Sequence, residues 1–430
     1  MVRRTDRPKN RGTLLRRIAW QIQSAWTDLS ISVRNVARQQ HRTALALVAV
    51  TSGVVAYLLA AGFIEWTLWG MREDTIRSQL GHLQVAKKGY FEAGTADPWR
   101  FVIDADTDLA PLLERSAGVV AVAPRLAFSG LASVGDATLS FLGEGLDPAR
   151  EGDLSRSVLI VQGSGLDTND PNGVILGQGL ALNLGAKVGD TIVLLSNTRA
   201  GGINGVQAKV RGIFSTVSKQ YDDHALRAPL PLAQKLLRAR GVHKWVILLD
   251  RTEATQDVLA RLRPQLETRG LEVIPWVELA DFYNKTVTLF RRQVGVVEMI
   301  IAVIIVLSIS NSLMMAVLER TSEIGTALAL GVNRGQILRR FVAEGLVIGV
   351  AGGLLGVLVG ALLAHVISLV GIPMPPPPGM ARGYVAQIDV SWPLAAESIV
   401  LAVATTLIAS LYPAWRAARL SIVDALRQGR

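Results

Sequence analysis

Hydrophobic positions along the chain follow two unlike rhythms. Four stretches are apolar almost without interruption: 43–64 carries no charge, 294–318 only Glu298, 341–370 only Glu344, and 393–414 only Glu397. A membrane-spanning helix needs about 20 apolar residues, whereas a buried helix of a soluble core gives runs of about 10–14. The pattern predicts four spanning helices. Between the first and second, residues 65–293 change to short alternating runs divided by Gly, Asp and Asn clusters at 163–173 and 200–205. Strands are expected at 82–86, 119–122, 138–142, 191–195, 206–213, 245–249 and 271–275, with helices at 178–184, 232–240 and 252–269. The expected fold class is therefore a membrane α-helical protein with four transmembrane helices. A large α+β domain is inserted between the first and second of them.

The ends of that insertion carry helical periodicity of their own. Leu68, Met71, Ile76 and Leu80 can continue the first span outward, and Leu279, Phe282, Tyr283, Val287 and Phe290 can run into the second. No Gly or Pro interrupts 277–294, which favours a rigid stalk over a flexible join.

Composition agrees with a membrane protein: 50% of the 430 residues are hydrophobic and 19% charged. Soluble domains run nearer about 25% charged. The formal charge of +10 would fit a nucleic-acid binder if it were spread evenly, but it is not. Residues 1–42 hold 10 Lys/Arg against 2 Asp/Glu, 319–340 hold 4 against 2, and 415–430 hold 4 against 1. Segments 65–293 and 371–392 are each neutral. Basic residues mark the cytoplasmic side. Both termini and the loop 319–340 are therefore expected inside, with 65–293 and the proline-rich loop 371–392 outside. The first apolar run begins too deep for a cleavable signal and reads as an uncleaved anchor. Ahead of it Leu14, Leu15, Ile18, Trp20, Ile22 and Trp26 alternate with Arg16 and Arg17, the pattern of an amphipathic helix on the inner membrane face.

The chemistry that the sequence lacks is equally informative. With no cysteine, disulfides, thiolate metal sites and a cysteine nucleophile are excluded. No G-x-x-x-x-G-K-[ST] phosphate loop occurs, so ATP is not bound in that way. The five histidines, His41, His82, His224, His243 and His365, show no metal-ligand spacing. No metal, cofactor or catalytic constellation is expected in this chain. The third span has two glycine rows, Gly345, Gly349, Gly353 and Gly352, Gly356, Gly360. Four-residue spacing lets another helix approach closely on each, for static packing or for sliding. Glu298, Glu344 and Glu397 each sit about one turn inside a span end. A structural role or a hydrogen bond to Ser308, Asn311 or Thr405 is favoured for them over proton relay.

The loop 319–340 predicts a short helix over 322–330 ended by Gly331. Asn333 then caps the next helix, with Gln336 placed for a capping box. Ile324, Ala327, Leu328 and Leu330 make this helix partly apolar, as a partner pushing on two spans would need. Glu319, Arg320, Glu323, Ile324, Gly325, Ala329, Leu330 and Gly331 match the Glu-Arg-x-x-Glu-Ile-Gly-x-x-x-Ala-Leu-Gly pattern. On it the sequence resembles the FtsX-like permease family of ABC transporters, of the MacB and lipoprotein-releasing (LolC/LolE-like) type. The closing run Tyr412, Pro413, Ala414, Trp415, Arg416, Ala417, Ala418 and Arg419, then Asp424, Ala425, Leu426 and Arg427, is similar to the family's tail. Gly177, Gly179, Leu180, Ala181, Gly185, Gly189 and Asp190 resemble its outer domain. The resemblance covers most of residues 30–428, with an FtsX-like permease domain at about 294–428.

The resemblance implies a permease without its own ATPase, located in a bacterial inner membrane. Two such chains pair, as a homodimer or heterodimer, and separate ABC ATPase subunits that bind ATP and Mg dock on the loop about 319–331. Glu319, Arg320, Glu323, Ile324, Gly325, Leu328 and Gly331 are the expected coupling residues. Mechanotransmission through the stalk would then release or export a lipoprotein or lipid, with a periplasmic carrier or adaptor as a further partner. Two departures stand out. Leu328 occupies a position where the family often has Arg, and 196–207 is short and glycine-rich where lipoprotein-releasing permeases can carry a protruding hairpin. Efflux of a peptide or amphiphile remains an alternative, as does a membrane-anchored sensor with no ATPase partner.

Overall fold

The computed structural model describes residues 40–94, 96–104, 109–375 and 383–422. The amphipathic stretch expected at 14–26, residues 376–382 of the proline-rich loop, and Asp424 to Arg427 lie outside them. The chain divides into two compact units. One gathers Met1–Trp66, Leu289–Ile372 and Ala386–Arg430, the other Thr67–Thr288 and Pro373–Val385.

The long apolar runs form helices at Gln40–Thr75, Asp281–Glu319, Arg334–Val370 and Trp392–Ala418. Among the described residues these four are long and apolar enough to cross a membrane. The shortest has 27 residues, about 40 Å at 1.5 Å per residue, which exceeds a hydrocarbon core of about 30 Å. Their inward stripe follows i, i+3 and i+4 spacing. Val50, Val54 and Tyr57 of the first helix meet Ile301, Ile305, Ile309 and Leu313 of the second, with Ile348 and Ala402. The opposite faces are also apolar: Leu307, Leu358 and Leu362 are exposed. Helices apolar all round are those that lipid surrounds.

The second unit is built on a sheet with ten strands among the described residues, in the order β10-β1-β9-β2-β3-β8-β5-β7-β4, with β6 joining β2 and β7. The strands are β1 Leu83–Lys87, β2 Val119–Val134, β3 Ala137–Leu146, β4 Leu159–Gly163, β5 Gly173–Gly177, β6 Thr191–Asn197, β7 Ile203–Ser215, β8 Ala225–Pro229, β9 Lys244–Leu249 and β10 Leu271–Pro275. The β3–β8 and β5–β7 pairs are parallel, and the other paired neighbours run antiparallel. Helices Gln178–Leu184 and Leu230–Leu237 cover one apolar cluster, around Phe141, Leu176 and Leu194. Helices Leu109–Glu114 and Thr255–Glu267 cover a second, around Leu83, Ile247 and Leu249. A third joins Ile76 to Ala123, Leu154, Val246, Leu248, Trp276 and Ala280. It brings the beginning and the end of this unit's main segment onto the same sheet.

Candidate functional site

The second long helix stops at Glu319, and the chain turns before the third begins at Arg334. Thr321 marks the break. Its hydroxyl donates to the Val317 and Leu318 carbonyls at 3.0 and 2.8 Å, groups that a helix end leaves without partners. A short helix, Thr321–Ala329, follows. Gly331 ends it with a φ of 92°, a left-handed conformation that glycine adopts without a Cβ penalty. Asn333 then starts the third long helix: its side chain accepts from Gly335 N–H at 3.3 Å, and Gln336 Oε1 accepts from Asn333 N–H at 3.2 Å. That is the capping box read from the sequence.

The residues of the matched pattern divide by where they point. Ile324 is buried with Val317, Ile337, Phe341, Ala414 and Ala417, so the short helix is seated on residues from three long helices. Gly325 is buried beside it. Ile324, one of the expected coupling residues, therefore fixes the helix to its own bundle. Leu328 packs against the same cluster, an apolar contact where the family often places a cation. Glu323 and Gly331 are exposed, and Leu330 is 83% exposed.

Charge completes the site. Arg42, at the start of the first long helix, pairs with Glu319. Arg320 reaches Glu344 on the third helix at 3.9 Å, both largely buried. Glu344 thus faces a cation from the inter-helix turn, rather than the hydroxyl and amide groups weighed for it from sequence. Arg320, Glu323, Ile324, Ala327, Ile337 and Glu344 contribute to the lining of a small cavity of about 140 Å³. The sequence signals Glu344 as a charge inside an apolar run, without showing that Arg320 is its partner. Arg42 gave no signal of its partner.

The glycine rows face two different neighbours. A Cβ on Gly345 would fall 2.8 Å from Ser410 Cβ, and one on Gly353 3.3 Å from Ala402 Cβ; Gly349 meets Thr406 still more closely. All three lie against the fourth helix. Gly352, Gly356 and Gly360 lie against Val50, Val54 and Leu58 of the first helix, where an added Cβ would come within 2.7, 2.6 and 3.3 Å. In the α+β unit, the stretch where a protruding hairpin was in question is a tight β6–β7 turn, closed by Thr198 Oγ1 donating to Gly202 O at 2.9 Å.

Comparison with known proteins bears on both units. The model of the FtsX-like permease C-terminal domain matches residues 296–422, and that of the MacB-like periplasmic core domain matches residues 43–265. An ABC transporter permease of Methanocaldococcus jannaschii is 26% identical over 62% of this chain and 65% of its own length. The lipoprotein-releasing system transmembrane protein LolC of Xylella fastidiosa (strain Temecula1) is 28% identical over 59% of this chain and 64% of its own. The macrolide export ATP-binding/permease protein MacB of Sodalis glossinidius is 25% identical over 93% of this chain and 60% of its own. The chain thus spans a little under two thirds of each of these relatives.

Proposed function

We propose, because this chain belongs to the MacB/LolC family of ABC transporter permeases, that it is a membrane subunit through which a separate ATPase drives work outside the bilayer. The reading places both termini and the short helix Thr321–Ala329 in the cytoplasm, and the α+β unit on the outer side of a bacterial inner membrane. The basic excess in 1–42, 319–340 and 415–430 supports that orientation. The ATP and Mg belong to the partner, and a second permease chain completes the complex.

One observation carries the reading. The short helix is bound to its bundle through Ile324 and through the Arg320–Glu344 pair, while Glu323 and Leu330 are left outward. Displacing its exposed side therefore moves the ends of the second, third and fourth long helices together. Glu323→Lys with Leu330→Asp alters that side without touching the seated face. In membranes co-expressing the partner ATPase, we expect co-purification and ATP turnover to fall at least about tenfold, with normal amounts of folded permease. An unchanged complex would remove this helix from the docking site.

Lipoprotein or lipid is the load we favour, supported by the likeness to the lipoprotein-releasing relative LolC. Efflux of a peptide or amphiphile is the second reading, supported by the likeness to the macrolide exporter. Proteoliposomes holding the complex and a labelled acylated lipoprotein separate the two: ATP-dependent release supports the first reading. Retention of the lipoprotein with expulsion of an amphiphile supports the second.

A further inference from the structure

The first long helix winds regularly to Thr75 and continues as a π turn, Ile76–Leu80, before Gly81 redirects the chain at a φ of 63°. Gly81 N–H donates to the Ile76 carbonyl at 2.8 Å. Beyond it lie the orphan carbonyls that any helix C-terminus presents. All four are met from within the α+β unit. The Arg77 carbonyl accepts from Ser157 N–H at 3.2 Å and that of Leu80 from Gln84 Nε2 at 2.9 Å. The Ser78 carbonyl accepts from Arg227 Nη2, and the Gln79 carbonyl from Arg125 Nη1.

Those two arginines are 1% and 0% exposed. Arg125, on β2, donates through Nε and Nη2 to Glu151 at 2.9 and 3.0 Å, and through Nη1 to Glu144 at 3.4 Å. Lys244 reaches Glu144 at 3.0 Å. Arg227, on β8, lies over the Phe214 and Tyr221 rings. Burial would raise the Glu144 pKa, but Lys244, Arg125 and Arg227 beside it hold the carboxyl down at about 2. The three cations thus lie among Glu144, Glu151 and the buried Asp222, and the two guanidinium groups face the negative end of the helix dipole. Capping a helix takes only neutral backbone donors or a glycine, and burying two guanidinium groups for the purpose is costly. Their position accounts for the investment: β2 and β8 flank β3 in the sheet, so the π turn is gripped from two strands that share a central neighbour.

We propose that Arg125 and Arg227 form a clasp that passes displacement of the first long helix into the centre of the sheet. This inference rests on the transmission reading above. The test uses the full chain with its ATPase in nanodiscs, following amide hydrogen exchange with and without ATP and vanadate. In the unaltered protein, trapped nucleotide should change exchange at 67–80 and also in β3 and β8. In Arg227→Met, and in Arg125→Met paired with Glu151→Met, the change should persist at 67–75 and vanish from β3 and β8, with ATP turnover retained. The paired variant leaves no stranded Glu151 and decides the matter if Arg227→Met does not fold. A change that still reaches both strands in a folded variant overturns the clasp alone. No nucleotide-dependent change at 67–80 in the unaltered protein overturns the transmission reading, and the clasp with it.

Discussion

In the helical unit, Gly349 and Gly352 bring backbone against Thr406 and Val50. In the α+β unit, Arg125 lies fully buried among Glu151, Glu144 and a helix-end carbonyl. The two solutions answer different solvents. Lipid is as apolar as a leucine side chain, so helices in it gain little from burying more leucine and hold together by close approach. A unit facing water already gains from apolar burial across its sheet. It can then spend some of that gain on fixed charge, which is directional and fails badly when half removed. The helical unit does use a buried pair at Arg320–Glu344, at 3.9 Å and near a helix end.

Breaking the charge network should give the largest effect. Arg125→Met leaves Glu151 without its cation, and should destabilise the α+β unit by about 3–5 kcal/mol. Replacing Glu151 by Met as well should recover most of the loss, as thermal unfolding of the two variants would measure. Equal loss in both would mean that packing, rather than unpaired charge, sets the cost.

Acid should separate the units next. Burial lowers the His82 pKa from 6.5 to about 4; its Nδ1 accepts from Leu249 N–H and its Nε2 meets the Thr252 hydroxyl. Between those two values the unfolded chain binds a proton that the folded chain refuses, so stability falls as pH drops from 6.5 toward 4. For His82 the loss is at most about 3 kcal/mol, and His243, also held at about 4 by burial, adds to it. Calorimetry at pH 7 and pH 5 should show the α+β transition moving down. A transition that did not move would contradict neutral burial of both rings.

Gly352→Leu probes the other side of the comparison and should cost the helical unit about 1–3 kcal/mol through overpacking against Val50. Denaturant-induced loss of helix in detergent reads it, with the α+β transition unchanged. Smallest of all is Glu253→Ala: its partner Arg72 lies at 3.3 Å, but Glu253 is 73% exposed. An exposed pair is worth less than about 1 kcal/mol, and a larger shift would place Arg72 in the buried network.

Much of this was legible in the sequence. The apolar runs mark the long helices, Asn333 and Gln336 mark the capping box, and Gly331 ends the short helix. Strands β4, β5 and β8 are missing from the expected set, and β2 was read as only four residues. The reason lies in particular residues: Pro124, Arg125 and Gly130 interrupt the alternation of β2, and Arg227 does so in β8. An arginine in a strand pattern argues for solvent until its partner is known. The partners here are 26 residues away for Glu151 and 149 for Ser78. Ile324 escaped for the same reason, since the cluster that buries it is assembled from distant helices.

The glycine rows have a consequence for genetics. Gly345, Gly349 and Gly353 occupy the earlier part of the third long helix and Gly352, Gly356 and Gly360 the later, with a different helix against each. Bulky replacements in the two rows should therefore be rescued by second-site changes that do not mix. Suppressors of the first row should fall near Ala402, Thr406 and Ser410, and those of the second near Val50, Val54 and Leu58.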